Sequence, residues 1–588
     1  MIKHICLLCC LLFVLQGKTQ IQSQLITVEA TIVDSKTKEA IAFANVISLH
    51  GRKGTISNAD GFFRMPNIDV KDTIIVSFVG YGKQVFSAIS LLNTQQISLV
   101  KKVEGLKEFA VLADNTYLYN LLDRARKTQT YKPKIAKTYF ELKTQVGDKQ
   151  VEMLECYFNG EYRGYDIEAL KLKNGRIALA EFNKNLFIST ETSKALSYHN
   201  LIDGNEYFPL NPLELSKNRM KRLFNLKLYS TFDGDENDRF YVINFSPKKN
   251  SNSIFSGTVW IDSTSAQVIK ITMDIENAHV YPIQPLKFTD SLDHVNLHIT
   301  KNFNKIEGEM YVQSVEFNYQ MRYKNINEES YWVSTSAILT AYNYESVFTL
   351  PFFTFEASET HKDFKQITAV PYNEVFWNNI TEFRINDMEN KNQFFKKHYS
   401  PEEQEALVSD KNGGVHVNML YKGYLPWAEE RILLRQENFL STSRNPAHAN
   451  TPKGMMNIEI QTYLDINVVE DSIDIITQTL YDPFQSFYGF PKTVETQVFI
   501  NIYFDLLEIE RRRFEAQVKN LGASCTEEMV IQLYQELKQN NELLRKKYYR
   551  DVDRGNNTKQ LKEWNKKVFD TLGVDNLKLF ENFEMPTN

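Results

Sequence analysis

From residue 25 to 101 the apolar positions fall into runs of five to eight residues rich in Val, Ile, Phe and Thr. Turn residues separate them at the spacing of a small β-sandwich. Within this region GRKGTISNADGFFRM sets Asp60-Gly61 between two strand-like runs. This predicts a two-residue hairpin turn, with Phe62 and Phe63 on opposite faces of the strand that follows. Gly80 and Gly82 around Tyr81 predict a second sharp turn. NTYLYNLLDRARKTQ, 115–129, changes to a helical period. From there to about residue 350, RFYVINFSP, FSGTVWIDSTSAQVIKITMDIE, MYVQSVEFNYQMRYKN and YWVSTSAILTAYNYE alternate apolar and polar positions. Antiparallel strands with one buried and one wet face are expected, 257–262 and 268–273 forming a hairpin across STSAQ. After PFFTFEASET the rhythm turns helical and charged, beginning with PYNEVFWNNITEF at 371–383. Strands return over 455–482, and from 493 TVETQVFINIYFDLLEIERRRFEAQVKN predicts a long helix, apolar on one face and rich in Glu and Arg on the other, stopping at Gly522.

At 588 residues the chain exceeds the ~250 to 300 at which a single core stops growing, so it is multidomain. The fold class read from the pattern is a small β-sandwich, then a large antiparallel β-sheet domain, then a mostly α-helical α+β C-terminal domain. The boundaries expected are 1–19 for a signal peptide, 24–103 for the sandwich, 115–360 for the sheet and 365–588 for the C-terminal domain. The 13% aromatic content suits antiparallel sheet. A net charge of -5 over this length gives no electrostatic footprint for nucleic acid.

The first residues, MIKHICLLCCLLFVLQGKTQ, place Lys3 before an apolar run from Ile5 to Leu15, with Gly17 and Thr19 as small residues before a cut. This is a secretory signal pattern, and the run is too short for the ~20 residues a membrane span needs. The apolar run continues past Cys9 and Cys10, against a lipoprotein signal. Cleavage would leave only Cys156 and Cys525, which supply neither a disulfide framework nor a cysteine metal site and are expected to be buried thiols.

The candidate chemistry is sparse. Asp233, Asp235, Glu236 and Asp238 in FDGDENDRF resemble a calcium loop in spacing but lack its closing Glu, and a solvated hairpin tip is the plainer account. His294 and His298 are four apart, which on a strand separates them by ~13 Å. HExxH, GxSxG, a P-loop and a Cys/His pairing are all missing.

Three resemblances add to this. The run from Val28 through Ile41 to Val46, then KGTISNADGFFRM and DTIIVSFVGYGKQ, resembles the carboxypeptidase regulatory-like domain, a transthyretin-like sandwich common in secreted and outer-membrane proteins of Bacteroidetes. That resemblance implies an accessory module without catalytic residues. The strand rhythm of the middle region is similar to LolA-like envelope proteins, whose curved sheet holds lipid; a sheet with a packed core fits the same rhythm. FINIYFDLLEIERR followed by YYRDVDRGNNTKQLKEW resembles the frame of a small secreted zinc peptidase with its chemistry removed. Phe499 and Tyr503 stand at the two His positions, Ile500 at the Glu position, and Phe504-Asp505 and Trp564 are kept. Arg554 precedes Gly555 where that family has His. The alternative is an amphipathic helix packing Phe499, Tyr503 and Leu506 into a core. Neither reading supplies zinc ligands, and Asp505 and Glu508 are expected to be solvated beside Arg511 to Arg513.

The expected function is that of a non-catalytic cell-envelope protein, in the periplasm or at the outer membrane. No catalytic, cofactor or metal residues are assigned. Its partner would be an envelope protein, a peptide or a glycan. A lipid or ligand carrier using the middle sheet and an unrecognised secreted hydrolase are the alternatives. The first consequence is a mature chain that begins near Gln20. N-terminal sequencing of the protein from an envelope fraction is expected to find that cut; an intact Met1 recovered from the cytosol would contradict it.

Overall fold

The structure is a computed structural model that describes residues 24–50, 53–58, 60–78, 80–102, 115–127, 132–182, 185–186, 193–204, 206–233, 239–285, 289–344, 346–355, 363–380, 424–428, 431–434, 454–469 and 472–581. The signal-length run, with Cys9 and Cys10, and Asp235, Glu236 and Asp238 of the acidic tip lie outside the described residues. The chain divides into two compact units, one carried mainly by Met1–Lys107 and the other by Glu108–Ser230, Phe240–Ile380 and Glu389–Asn588.

The first unit has strands β1 (Leu25–Asp34), β2 (Asn45–Ser48), β3 (Lys53–Ile56), β4 (Phe62–Asp69), β5 (Thr73–Ser77), β6 (Gln84–Ser87) and β7 (Gln96–Leu99). They form two sheets, ordered β4-β1-β7 and β3-β2-β5-β6. Val28, Ile32, Val46, Phe63, Ile74 and Val76 fill one shared core. Asp60-Gly61 does not close a hairpin as its sequence suggests, because β3 pairs with β2 while β4 pairs with β1. The turn is a corner between sheets, and Asn58 makes it. Its Oδ1 accepts from the N–H of both Asp60 and Phe62, each at 2.9 Å, an Asx arrangement that turns the chain without a ladder. Gly61 has φ +75°, and its carbonyl accepts from Ile32 N–H at 2.8 Å. The alternation of the two rings holds: Phe63 is in the core and Phe62 is half-buried.

In the second unit, helix α1 (Thr116–Lys127) precedes strands β8 (Lys134–Val146), β9 (Lys149–Arg163) and β10 (Asp166–Leu179), the short pair β11 (Glu181–Phe182) and β12 (Asn185–Leu186), and β13 (Phe224–Asp233), β14 (Arg239–Pro247), β15 (Ser256–Asp262), β16 (Val268–Ile275), β17 (Ser291–Ile306), β18 (Glu309–Lys324) and β19 (Ser330–Asn343). Ten of these make one antiparallel sheet, in the order β10-β9-β8-β19-β18-β17-β16-β15-β14-β13. The alternation seen in sequence becomes two faces. Met273, Ile299, Phe317, Ala337, Leu142, Leu154 and Ile177 lie in one cross-strand row, whereas Thr272, Thr300, Glu316, Ile338, Glu141, Glu155 and Arg176 lie in the row on the other face. The apolar face is covered by the chain itself: Phe208 packs edge-on against Phe317 and His199, with ring centroids 5.9 and 4.8 Å away. Lys301 is buried on this face and donates to the carbonyl of His199 at 2.6 Å; burial pushes its pKa down to about 8, with Asp166 opposing.

The C-terminal part contributes β20 (Leu425–Pro426), β21 (Met456–Val469) and β22 (Ser472–Tyr488), ordered β20-β22-β21, then helices α2 (Val494–Leu521), α3 (Glu527–Val552) and α4 (Thr558–Leu572). Gly522 ends α2 with φ +56°, as its position predicts. The expected two-faced character of α2 holds from Glu510 to Leu521, where Phe514 and Val518 are buried and Arg512 and Arg513 exposed, but not in its first half. From Thr496 to Ile509 every residue is buried, because β21, β22, α3 and α4 all pack on this stretch.

The corner at Gly61 yields a direct test. A Cβ at this position would lie 2.4 Å from the carbonyl oxygen of Ile32, and the φ disfavours a β-branched residue. Gly61→Val is expected to cost the first unit roughly 1–3 kcal/mol, read by thermal denaturation, and to leave the melting of the second unit unchanged. One cooperative transition shifted as a whole would contradict the independence of the sandwich.

Candidate functional site

The helix that resembles a peptidase frame is built as a strut. Thr493 caps it, its hydroxyl accepting from Thr496 N–H at 3.2 Å. Gln497, Asn501, Asp505 and Glu508 recur at helical spacing and hold neighbouring chain. Asn501 both accepts from Ile432 N–H and donates to its carbonyl at 2.9 Å, and Gln497 accepts from Leu434 N–H at 3.0 Å. Asp505, fully buried, accepts from Trp427 Nε1 and Arg431 at 2.7 Å and from Asn576 Nδ2 at 2.6 Å. Glu508 accepts from Thr479, Arg511 and Arg512. Burial opposes its ionisation, but the bonds from Arg511 and Arg512 outweigh that and hold its pKa below the ordinary value. The expectation that these two acids are solvated is therefore corrected: both are buried and fully engaged, and Arg513 pairs with Glu510 instead.

At the positions where a zinc peptidase needs imidazoles there is an aromatic stack. Phe499 lies parallel to Tyr548 with centroids 5.3 Å apart, Tyr503 lies parallel to it at 6.1 Å, and Trp564 meets it edge-on at 5.5 Å. Tyr548 donates to the carbonyl of Phe499 at 2.8 Å. Ile500 is buried in the same core. Arg554 sits over the ring of Phe490 at 4.2 Å, and Gly555 has φ +100° where a Cβ would meet the Glu495 carbonyl at 2.7 Å. Among the described residues, no group of three His, Cys, Asp or Glu side chains is arranged to hold a metal ion.

His294 and His298 are likewise not brought together. His294 sits with φ +49° at a bulge in β17 and faces Asn277 at 2.9 Å, whereas His298 Nδ1 lies 2.5 Å from Asp274, which raises the histidine's pKa. Asp233 pairs loosely with Arg239 at 3.9 Å. Cys156 is buried, as expected, but Cys525 is partly exposed.

A concavity that touches this helix was not anticipated. A cleft of about 540 Å³ opens between the segment 351–354, the outer edge of β21, and helices α2 and α3. Tyr503, Leu507 and Tyr534, all buried, line its floor, and Glu459, Gln461, Lys538, Asn541, Glu542 and Arg545 its walls. Arg545 pairs with Glu542 at 2.8 Å. Burial, reinforced by Asp482, raises the pKa of Glu459. Asn541 Oδ1 is buried and has no hydrogen-bond partner among the described residues, and the Tyr549 hydroxyl behind Tyr503 is in the same state. A signal for the cleft exists in the sequence: Tyr534, Lys538, Asn541 and Arg545 recur three or four apart, a polar stripe on one face of α3.

Comparison with known proteins assigns one part of the chain. Residues 28–111 match the family model of the CarboxypepD_reg-like domain. No curated protein matches the sequence. Among solved structures, a chain of the MucA/MucB complex from Pseudomonas aeruginosa is 9% identical, with 38% of this chain and 93% of that chain covered, at a TM-score of 0.15. A LolA superfamily protein from Nitrosomonas europaea is 10% identical, with 39% and 93% covered, at 0.15. At such scores neither likeness supports a functional assignment. The family shown is that of the N-terminal sandwich alone.

Proposed function

We propose that this chain is a non-catalytic binding protein of the cell envelope, exported by its N-terminal apolar run and working in the periplasm or at the outer membrane. The sandwich serves as an accessory module, and the cleft beside β21 is the ligand seat. The observation that carries this reading is the double role of Tyr503, which stacks on Tyr548 and also floors the cleft. Where a zinc enzyme would aim imidazoles at its substrate, this chain presents a phenol and apolar carbon, which offer a ligand contact surface and no zinc ligands of that frame. A carrier role for the ten-stranded sheet would require Phe208 and its neighbours to leave the apolar face they now cover. The partner is an envelope protein, a peptide or a glycan.

The test is a panel of envelope oligosaccharides, capped peptides and phospholipid vesicles, measured against the full chain and against Lys538→Glu. One class is expected to bind and to lose at least tenfold in affinity in the variant, whose melting temperature stays put, and casein is expected to remain uncut with or without added zinc. Binding that ignores the variant in every class would remove the cleft from the account. Zinc-dependent cleavage that is lost on mutating Asp505 or Glu508 would show an enzyme instead.

A further inference from the structure

The edge of β21 identifies a ligand class for the cleft. β22 pairs with one side of β21, and among the described residues no strand follows on the other in the sheet order. On that outer side Phe352 donates its N–H to the Leu464 carbonyl at 2.8 Å, forming an antiparallel bridge. The addition stops at once. Two residues along, the Thr462 carbonyl is taken by the Tyr534 hydroxyl at 2.7 Å, and Thr354 turns to the Gln461 side chain, which accepts from its N–H and donates to its carbonyl, both at 3.1 Å. Beyond this point comes Ile460, and there the cleft opens. Alternation along a strand gives Ile460 the same outward N–H and C=O directions as Thr462 and Leu464.

The opposite wall is matched to an amide backbone. Asn541 Oδ1 is a buried acceptor without a donor, a costly state unless a ligand or water supplies one. Lys538 and Arg545 are balanced by Glu459 and Glu542, so the walls favour a neutral chain that offers donors and acceptors in alternation over an anion or a cation. Leu507 and Tyr503 on the floor can receive an apolar side chain.

Resting on the reading of the cleft as the ligand seat, we propose that it takes an extended peptide segment of a partner protein, added antiparallel to β21 at Ile460. Its backbone amides pair with Ile460 and with Asn541 Oδ1, and one apolar side chain lies on Leu507 and Tyr503.

The experiment uses the full chain and a pool of capped hexapeptides that alternate Thr with randomised positions, the bound fraction being read by mass spectrometry. The same pool methylated on alternate backbone nitrogens, and an oligosaccharide set, form the other arms. Members with apolar randomised residues are expected to be retained, and N-methylation should weaken them at least tenfold. Ile460→Pro removes the edge donor at a position where proline can be accommodated, and it should weaken binding similarly; Asn541→Leu does so without touching the strand. If Ile460→Pro unfolds, N-methylation and Asn541→Leu decide. Equal retention of the N-methylated pool overturns the proposal. Retention of oligosaccharides alone, lost in Lys538→Glu, overturns it while leaving the ligand seat standing; no retained class sensitive to the cleft variants overturns both.

Discussion

The buried ion pair between Lys173 of β10 and Asp465 of β21 is the interaction on which the second unit depends. Their side chains are 4% and 0% exposed. Asn373 and Asn174 donate to the other carboxylate oxygen at 2.6 and 3.1 Å, and Lys173 also donates to the Ile466 carbonyl at 3.0 Å. Two charges removed from water are tolerable only with this degree of satisfaction, and removing one leaves the other stranded. The pair fixes β21 against the edge of the ten-stranded sheet. The same strand places Leu464 and Ile466 in a core with Phe514 of α2 and Tyr534 of α3, and its outer edge forms one side of the cleft. Docking, core and cleft thus share one strand.

The chemistry of the C-terminal part follows from that placement. A helix surrounded on every side must satisfy its polar side chains internally, which is why Asp505 and Glu508 act as hydrogen-bond hubs for Arg431, Trp427 and Arg511, and not as free carboxylates. The aromatic stack of Phe499, Tyr503, Tyr548 and Trp564 fills the volume between α2, α3 and α4.

Much of the architecture was legible in the sequence because it rests on local periodicity. The alternating runs became the two faces of the large sheet, the helical period read from 115 on became α1 at Thr116–Lys127, and Gly522 stops α2. What was not legible depends on pairing across distance. Asp60-Gly61 carries a hairpin's residues, yet partner choice sends β3 and β4 to different sheets, and Asn58 makes the corner. Lys173 and Lys301 drew no expectation from the sequence, and each is buried beside a carboxylate or carbonyl far away in sequence. The burial of Thr496–Ile509 on all sides was hidden because Asp505 and Glu508 look like solvent positions until Trp427, Arg431 and Thr479 are laid on them. The stripe on α3 was visible as a pattern, but nothing local says that it faces an unfinished strand edge.

The central claim is that the Lys173–Asp465 pair joins the large sheet and the C-terminal helices into one cooperative body. Equilibrium denaturation of Lys173→Met, Asp465→Asn and the double variant, followed by tryptophan fluorescence and far-ultraviolet circular dichroism together, tests it most directly. Each single change should cost about 3–5 kcal/mol, and the double no more than the worse single. Apart from the sandwich's own melting, both probes should report a single transition for the second unit. Additive losses, or helices that unfold apart from the sheet, would contradict the account.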